Sequence, residues 1–238
     1  MIKPGVFYGV GVGPGDPELM TIKAVRVIGA AGVLAVPKSE GGDESLALSI
    51  VRKAVDLGGK KILELPFPMT RDPEALRESR KSAARLISDR LREGVDAAFV
   101  TLGDPLIYST FSYLMPFVKE LSPGSEIRVV PGVASFSASA AALPASLAET
   151  AERVIIIPAA YELDKVREAL GSAETIVLMK VNRAVDGVID LLTEAGLLER
   201  SFFVSRAGWP EEKLVTDLRA LKGGRPDYFS MIIVRKNA

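Results

Sequence analysis

The chain has 238 residues, with 30 Lys+Arg against 30 Asp+Glu, no His and no Cys. Balanced charge leaves no global field to recruit nucleic acid or an anionic membrane. Without Cys there is no disulfide framework, thiolate nucleophile or zinc–thiolate site, and without His there is no Ser-His-Asp triad, HExxH zinc site or imidazole base.

Hydrophobic content of 48% and charged content of 25% suit a globular protein with a sizeable core, built as one large domain or two smaller ones. Gly9 to Gly15 interrupt the first apolar stretch, so no secretory signal is expected, and no run nears the roughly 20 apolar residues of a membrane span. The expected location is the cytoplasm.

Apolar runs alternate with helical patterns along the chain. A strand is expected over 6–12, then a helix over 21–31 whose Ile22, Val25, Ile28 and Gly29 share one face. A strand over 33–36, a helix over 45–55 carrying Leu48, Val51 and Val55, and a strand over 62–65 come next. Asp72-Pro73-Glu74 opens a long helix with Leu76, Ala83, Ile87 and Leu91 inward and Arg77, Glu78, Arg80, Lys81 and Arg85 elsewhere around it. A strand over 95–102 and a helix near 110–119 complete a βαβα rhythm, which argues for a mostly parallel sheet with flanking helices.

Leu121-Ser122-Pro123-Gly124-Ser125 is the best linker, and the rhythm restarts after it. Strands are expected over 127–130, 154–157, 175–179 and 202–205, with helices near 135–142, 163–170 and 185–195. Segments 213–215 and 228–234 read as strands separated by Gly223-Gly224, which suggests an antiparallel, hairpin-like ending. The expected architecture is α/β: two lobes, 1–120 and 121–238, with mostly parallel sheets facing one another across a cleft.

Two Gly-Asp-Pro triplets, 15–17 and 103–105, each follow an apolar run. Each reads as a buried strand, a tight turn, and a helix start with a capping Asp and Pro in the first turn. That edge is where open α/β sheets bind ligands. A dinucleotide fingerprint nevertheless fails: starting at Gly9 it needs glycine where Pro14 stands, and starting at Gly11 it needs glycine where Asp16 stands. No phosphate-cradling GxxxxGK[ST] loop is present, and Asp16 would repel phosphate at a helix start. From the residues alone, the triplets are either ligand-facing loops or plain turns, with Asp104 merely capping a helix. Val130-Pro131-Gly132-Val133-Ala134-Ser135 is likewise compatible with a plain turn.

In combination and order, these strings resemble the tetrapyrrole methylases, two-lobed S-adenosylmethionine-dependent enzymes of cobalamin and sirohaem synthesis. Gly11-Val12-Gly13-Pro14-Gly15-Asp16 with Thr21 matches the family's N-terminal loop, Gly103-Asp104-Pro105 its central loop, and Val130-Pro131-Gly132-Val133 the start of its second lobe. Within the family the chain is most similar to the subgroup methylating C-20 of precorrin-2 or cobalt-factor II. The carrying strings are Pro37-Lys38-Ser39, then Glu44-Ser45-Leu46-Ala47-Leu48-Ser49-Ile50, Phe67-Pro68-Met69-Thr70-Arg71-Asp72, and the residues from Gly103 to Phe111. Ala134 departs from relatives that commonly carry Thr or Ser, leaving that contact to backbone.

The resemblance implies S-adenosyl-L-methionine as methyl donor, S-adenosyl-L-homocysteine as product, and no protein-bound metal. It places methionine-moiety and ribose contacts at Leu102, Gly103, Asp104 and Ile107, with Tyr108 nearby. Ala134 and Ser135 face the cofactor, Met179 and Ala207 enclose the adenine, and Pro14 shapes the floor beneath the transferred methyl. On periodicity alone, Met179 reads as ordinary core. In-line methyl transfer to a ring carbon demands alignment, worth roughly 7–11 kcal/mol, more than a protein nucleophile. Tyr108 and Asp104 are candidates, by location only, to accept the C-20 proton, with solvent as the alternative.

A substrate rich in carboxylates implies cations in its site, and Lys38, Arg71, Arg80 and Arg206 lie in or beside the family strings, against the alternative of solvated surface charge. Phe67 and Met69, in a proline-rich loop, suit a macrocycle face. A homodimer is implied by the resemblance, and Phe111, Tyr113, Leu114, Met115 and Phe117 exceed what one helix face buries. Two other readings stay open: a methylase of the same fold acting on a different ring carbon or on diphthamide, and a non-catalytic nucleotide-sensing or scaffolding protein.

Overall fold

The computed structural model describes residues 2–38 and 45–237. Ser39 and Glu44, in two of the strings singled out above, lie outside the described residues. The chain divides into two compact units, Met1–Ala134 and Ser135–Ala238.

In the first unit, β1 (Phe7–Gly11), β2 (Val33–Lys38), β3 (Lys61–Pro66), β4 (Ala97–Thr101) and β5 (Ile127–Val130) form one sheet in the order β3-β2-β4-β1-β5. Every pairing in it is parallel. All five residues of β4 are buried, as a central parallel strand covered on both faces requires. The boundary expected at 120/121 therefore moves: β5 pairs with β1, so 121–134 belong to the first unit. The 121–125 segment is only the turn into β5, where the Ser122 and Ser125 hydroxyls hydrogen-bond at 2.8 Å.

The helices of this unit are α1 (Ile22–Ala30), α2 (Leu46–Ala54), α3 (Pro73–Arg92) and α4 (Phe111–Leu121). Thr21 caps α1 by accepting from the Ala24 N–H at 3.0 Å, and Asp72 caps α3 by accepting from the Glu74 N–H at 3.0 Å. The inward face expected for α1 is partly wrong: Ala24 and Ile28 are buried, whereas Ile22 is 89% exposed and Gly29 also faces solvent. On α3, Ala83, Ile87 and Leu91 are buried as expected, and Leu76 is half-buried. Phe7, Phe99 and Phe111 meet in the core, with ring centroids 5.3 Å (Phe7–Phe111) and 6.3 Å (Phe99–Phe111) apart. A Cβ on Gly9 would overlap the Phe111 ring, so this glycine admits the ring against β1.

The apolar surplus on α4 is largely absorbed. Phe111, Leu114 and Val118 are buried, Met115 and Phe117 pack partly on the same core, and Tyr113 alone of these stays over half exposed. The Arg80 guanidinium lies 4.1 Å from the Tyr113 ring centroid, a cation–π contact.

In the second unit, β6 (Val154–Ile157), β7 (Thr175–Met179), β8 (Ser201–Ser205), β9 (Lys213–Val215) and β10 (Ser230–Arg235) form a mixed sheet in the order β6-β7-β10-β8-β9. β6 and β7 pair parallel, and the other neighbours pair antiparallel. The hairpin-like ending is corrected: β9 and β10 are strands as expected, but each pairs antiparallel with β8, which lies between them, so the two run in the same direction and do not pair with one another. Along β10, Ile232 and Val234 pack in one apolar cluster with residues of α6 (Leu163–Ser172) and α7 (Val185–Glu194). Met231 and Ile233 pack in the other, with Ala140 of α5 (Ser135–Ala142). No helix among the described residues is long and apolar enough to cross a membrane.

Arg235, 5% exposed, ties this sheet to the 149–152 loop by donating to Glu152 at 2.7 Å and to Thr175 Oγ1 at 3.2 Å. Beside it, Arg153 pairs with Glu174 at 3.1 Å, and that guanidinium lowers the Glu174 pKa to about 2 from an ordinary 4.5. A depressed folded pKa adds stability above the unfolded value and loses it on acidification. The urea midpoint is therefore expected to fall as pH drops from about 4.5 toward about 2, and less steeply in Glu174→Gln. Parallel pH profiles of the two proteins would remove Glu174 as a source of acid sensitivity.

Candidate functional site

Three loops converge where β1, β4 and β5 end. The Val12 N–H donates to the Thr101 carbonyl at 3.0 Å, and the Gly103 N–H to the Gly13 carbonyl at 2.8 Å. Gly13 and Gly103, with φ of +77° and +65°, occupy the left-handed region that favours glycine. A Cβ on Gly11 would overlap the Gly103 carbonyl oxygen and lie 2.7 Å from the Gly132 nitrogen. A Cβ on Gly132 would overlap the same oxygen and lie 2.8 Å from Gly11 Cα. Backbone thus packs on backbone, and side chains are excluded.

Asp104 locks the junction: its Oδ1 accepts from the Leu106 N–H at 2.8 Å and its Oδ2 from the Gly132 N–H at 3.0 Å. The helix start expected at Pro105 is corrected, because Pro105 opens a turn and α4 begins at Phe111. The Ser109 hydroxyl covers that start, donating to Thr101 Oγ1 at 3.1 Å while accepting from the Phe111 N–H at 3.2 Å. Asp16 caps only the 3-10 turn Pro17–Leu19, accepting from the Glu18 N–H at 2.8 Å.

Between Asp104 and α4 the chain presents an apolar rim. Leu106, Ile107 and Tyr108 are 55%, 37% and 55% exposed. Tyr108 has φ +52°, a conformation costing a non-glycine residue on the order of 1–3 kcal/mol and persisting only where its surroundings impose it. Pro14 is buried and follows Gly13, which accepts the Gly103 bond. Of the sequence-derived site residues, Pro14, Leu102, Gly103, Asp104, Ile107 and Tyr108 thus belong to these loops, and Ala134 closes the segment after Gly132.

The second unit carries the remaining candidates. Ser135 opens α5, while Met179 and Ala207 join one apolar cluster with Ala140, Val177, Phe202 and Met231. Met179 stands opposite Met231 in the β7–β10 register.

Three of the four candidate cations already have partners. Lys38 pairs with Glu64 across β2 and β3 at 2.5 Å, Arg80 lies on Tyr113, and Arg206 pairs with Asp227 at 2.8 Å. Arg71 is exposed and forms no ion pair with its neighbours Asp72 or Glu74. Sequence reasoning missed Asp227, which sits in no motif and is separated from Arg206 by 21 positions. It also left Gly11 and Gly132 out of the site, although both stand in quoted strings.

Residues 6–222 match the family described as Tetrapyrrole (Corrin/Porphyrin) Methylases, and the chain belongs to that family. It is 41% identical over 173 residues to a probable cobalt-precorrin-2 C(20)-methyltransferase of Methanocaldococcus jannaschii, covering 73% of this chain and 71% of that protein. It is 33% identical over 235 residues to the cobalt-precorrin-2 C(20)-methyltransferase of Salmonella typhimurium, covering 98% and 97%. Among solved structures, a cobalamin biosynthetic enzyme, cobalt precorrin-4 methyltransferase, aligns with a TM-score of 0.70 at 27% identity, over 96% of this chain and 94% of its own.

Proposed function

We propose that this chain transfers a methyl group from S-adenosylmethionine to C-20 of a precorrin-2-type tetrapyrrole, in its cobalt-bound form. The observation that carries the reading is the 33% identity to a cobalt-precorrin-2 C(20)-methyltransferase along 98% of the chain. The cobalt belongs to the substrate. The loop junction fits the donor through its exposed apolar rim of Leu106, Ile107 and Tyr108, while Gly11 and Gly132 let the loops pack backbone on backbone and so fix the turn that carries the rim.

When bound, S-adenosylmethionine supplies an electrophilic methyl on a sulfonium. In this reading the Gly103–Tyr108 turn holds the methionine and ribose moieties, Pro14 underlies the methyl, Ala134 and Ser135 line the cofactor, and Met179 and Ala207 take the adenine. Asp104 fixes the turn: both its oxygens accept backbone N–H bonds, which suits positioning better than proton acceptance. Tyr108 and solvent are then the acceptors left for the C-20 proton. The family resemblance also supports a cytoplasmic homodimer, and a monomer mass by light scattering would overturn the dimer.

Two measurements test the reading. S-adenosylhomocysteine at about a hundred times its Kd is expected to stabilise the fold by about 2.7 kcal/mol, read as a raised melting temperature. An unmoved melting temperature would favour the non-catalytic scaffold. Side-by-side assays are expected to give a higher kcat/KM for cobalt-bound than for metal-free precorrin-2, and the reverse order would reassign the substrate.

A further inference from the structure

Strands β7 and β8 are each followed by a residue in the left-handed region, Lys180 at φ +55° and Arg206 at φ +51°. Side-chain-bearing residues adopt that conformation rarely, and persist in it only where neighbours impose it. Both residues are fastened to the same segment, the one leading into β10. The Lys180 N–H donates to the Ser230 carbonyl and the Arg206 N–H to the Phe229 carbonyl, each at 2.8 Å.

The side chains repeat the pattern. Arg206 Nε donates to Asp227 Oδ2 at 2.8 Å, and Lys180 Nζ lies 5.5 Å from the Tyr228 ring centroid. Asp227 Oδ1 accepts from the Phe229 N–H at 2.7 Å, so one carboxylate shapes its own turn and grips the guanidinium. The pair is half-sheltered, with side chains 34% and 29% exposed, unlike a fully solvated surface pair. Directly beside the two left-handed residues stand Met179 and Ala207, in one apolar cluster.

We propose that Asp227 and Arg206 are positioning residues for the cofactor: their bond holds the left-handed turn that places Ala207 beside Met179 as the adenine wall. This rests on the reading above that Met179 and Ala207 enclose the adenine. It also argues against Arg206 as the substrate's carboxylate grip, because the Asp227 carboxylate already offsets its charge through the Nε bond.

The test is calorimetric titration of S-adenosylhomocysteine into the full chain and into Arg206→Ala, Asp227→Ala and the double variant, with tetrapyrrole KM measured at saturating S-adenosylmethionine. Each alanine variant is expected to weaken binding roughly tenfold, and the double variant no further than about twofold beyond either single, since the two act as a unit. Tetrapyrrole KM should stay within about twofold, and Asp227→Asn, which keeps an acceptor, should recover part of the lost affinity. Should Asp227→Ala fail to fold by circular dichroism, Asp227→Asn and Arg206→Ala decide the matter by the same titrations. Unchanged affinity in a folded variant overturns the proposal, as does a raised tetrapyrrole KM with cofactor affinity intact in Arg206→Ala. Met179→Ala separates the layers: if it binds S-adenosylhomocysteine normally, the adenine reading falls and the proposal with it. If Met179→Ala binds weakly while Asp227→Ala binds normally, only the positioning role falls.

Discussion

Gly132→Ala is expected to abolish measurable S-adenosylhomocysteine binding and to cut turnover roughly a hundredfold or more, while the parallel sheet stays folded. A single methyl suffices because nothing beside it is a movable side chain. The new Cβ would overlap the Gly103 carbonyl oxygen and lie 2.8 Å from Gly11 Cα, both backbone atoms at strand ends. Relief requires the β4 or β5 loop to shift, which also stretches the 3.0 Å bond from the Gly132 N–H to Asp104. The displaced turn is the one proposed to hold the methionine and ribose moieties. Gly29→Ala is the matched control, for a Cβ there meets nothing within 4 Å. Removing a glycine inside α1 should raise stability by about 0.5–1 kcal/mol with binding unchanged. Normal calorimetric binding by a folded Gly132→Ala would show that this junction is not the cofactor site.

What the sequence made legible was local. Periodicity placed the strands and helices, and caps such as Thr21 and Asp72 bond within two or three residues, so their role can be read from adjacent letters. What it hid was partnership at a distance. Asp104 looked like a helix cap because its Pro follows, yet its Oδ2 takes the Gly132 N–H, 28 positions away. The second sheet deceived for the same reason: nothing local reveals that β10 inserts between β7 and β8. Ile22 fits the helical period as an inward residue, but as the first residue of α1 it turns its side chain to solvent, while Ala24, two positions on, is buried. Glycine spacing was visible throughout, but its cause, close approach of the Gly103 carbonyl to Gly11 and Gly132, is visible only in three dimensions.

Arg71→Ala is expected to raise tetrapyrrole KM while leaving S-adenosylhomocysteine affinity and melting temperature nearly unchanged. The segment 66–73 leaves β3 through three prolines, which disfavour helix and central strand. It is held from both sides. The Phe67 N–H donates to the Lys38 carbonyl at 3.1 Å, and the Ser79 hydroxyl donates to the Pro66 carbonyl at 2.8 Å. Phe67 packs partly against the core, so the macrocycle face expected of it falls to Met69, which is 86% exposed. The neighbouring polar groups are used locally. Thr70 Oγ1 accepts from the Asp72 N–H at 3.1 Å, and Asp72 caps α3. Arg71 is thereby left exposed beside Met69, a cation next to an apolar surface at the edge where strands deliver ligands. A guanidinium there can grip a peripheral carboxylate with two parallel bonds. Losing one charge-assisted hydrogen bond should cost about 1.5–3 kcal/mol of substrate binding, roughly ten- to a hundredfold in KM. Lys in the same place supplies charge without the planar fork, so Arg71→Lys should recover only part of the loss. A lowered melting temperature with unchanged kinetics would instead give Arg71 a purely structural role at the start of α3 and remove it from the substrate site.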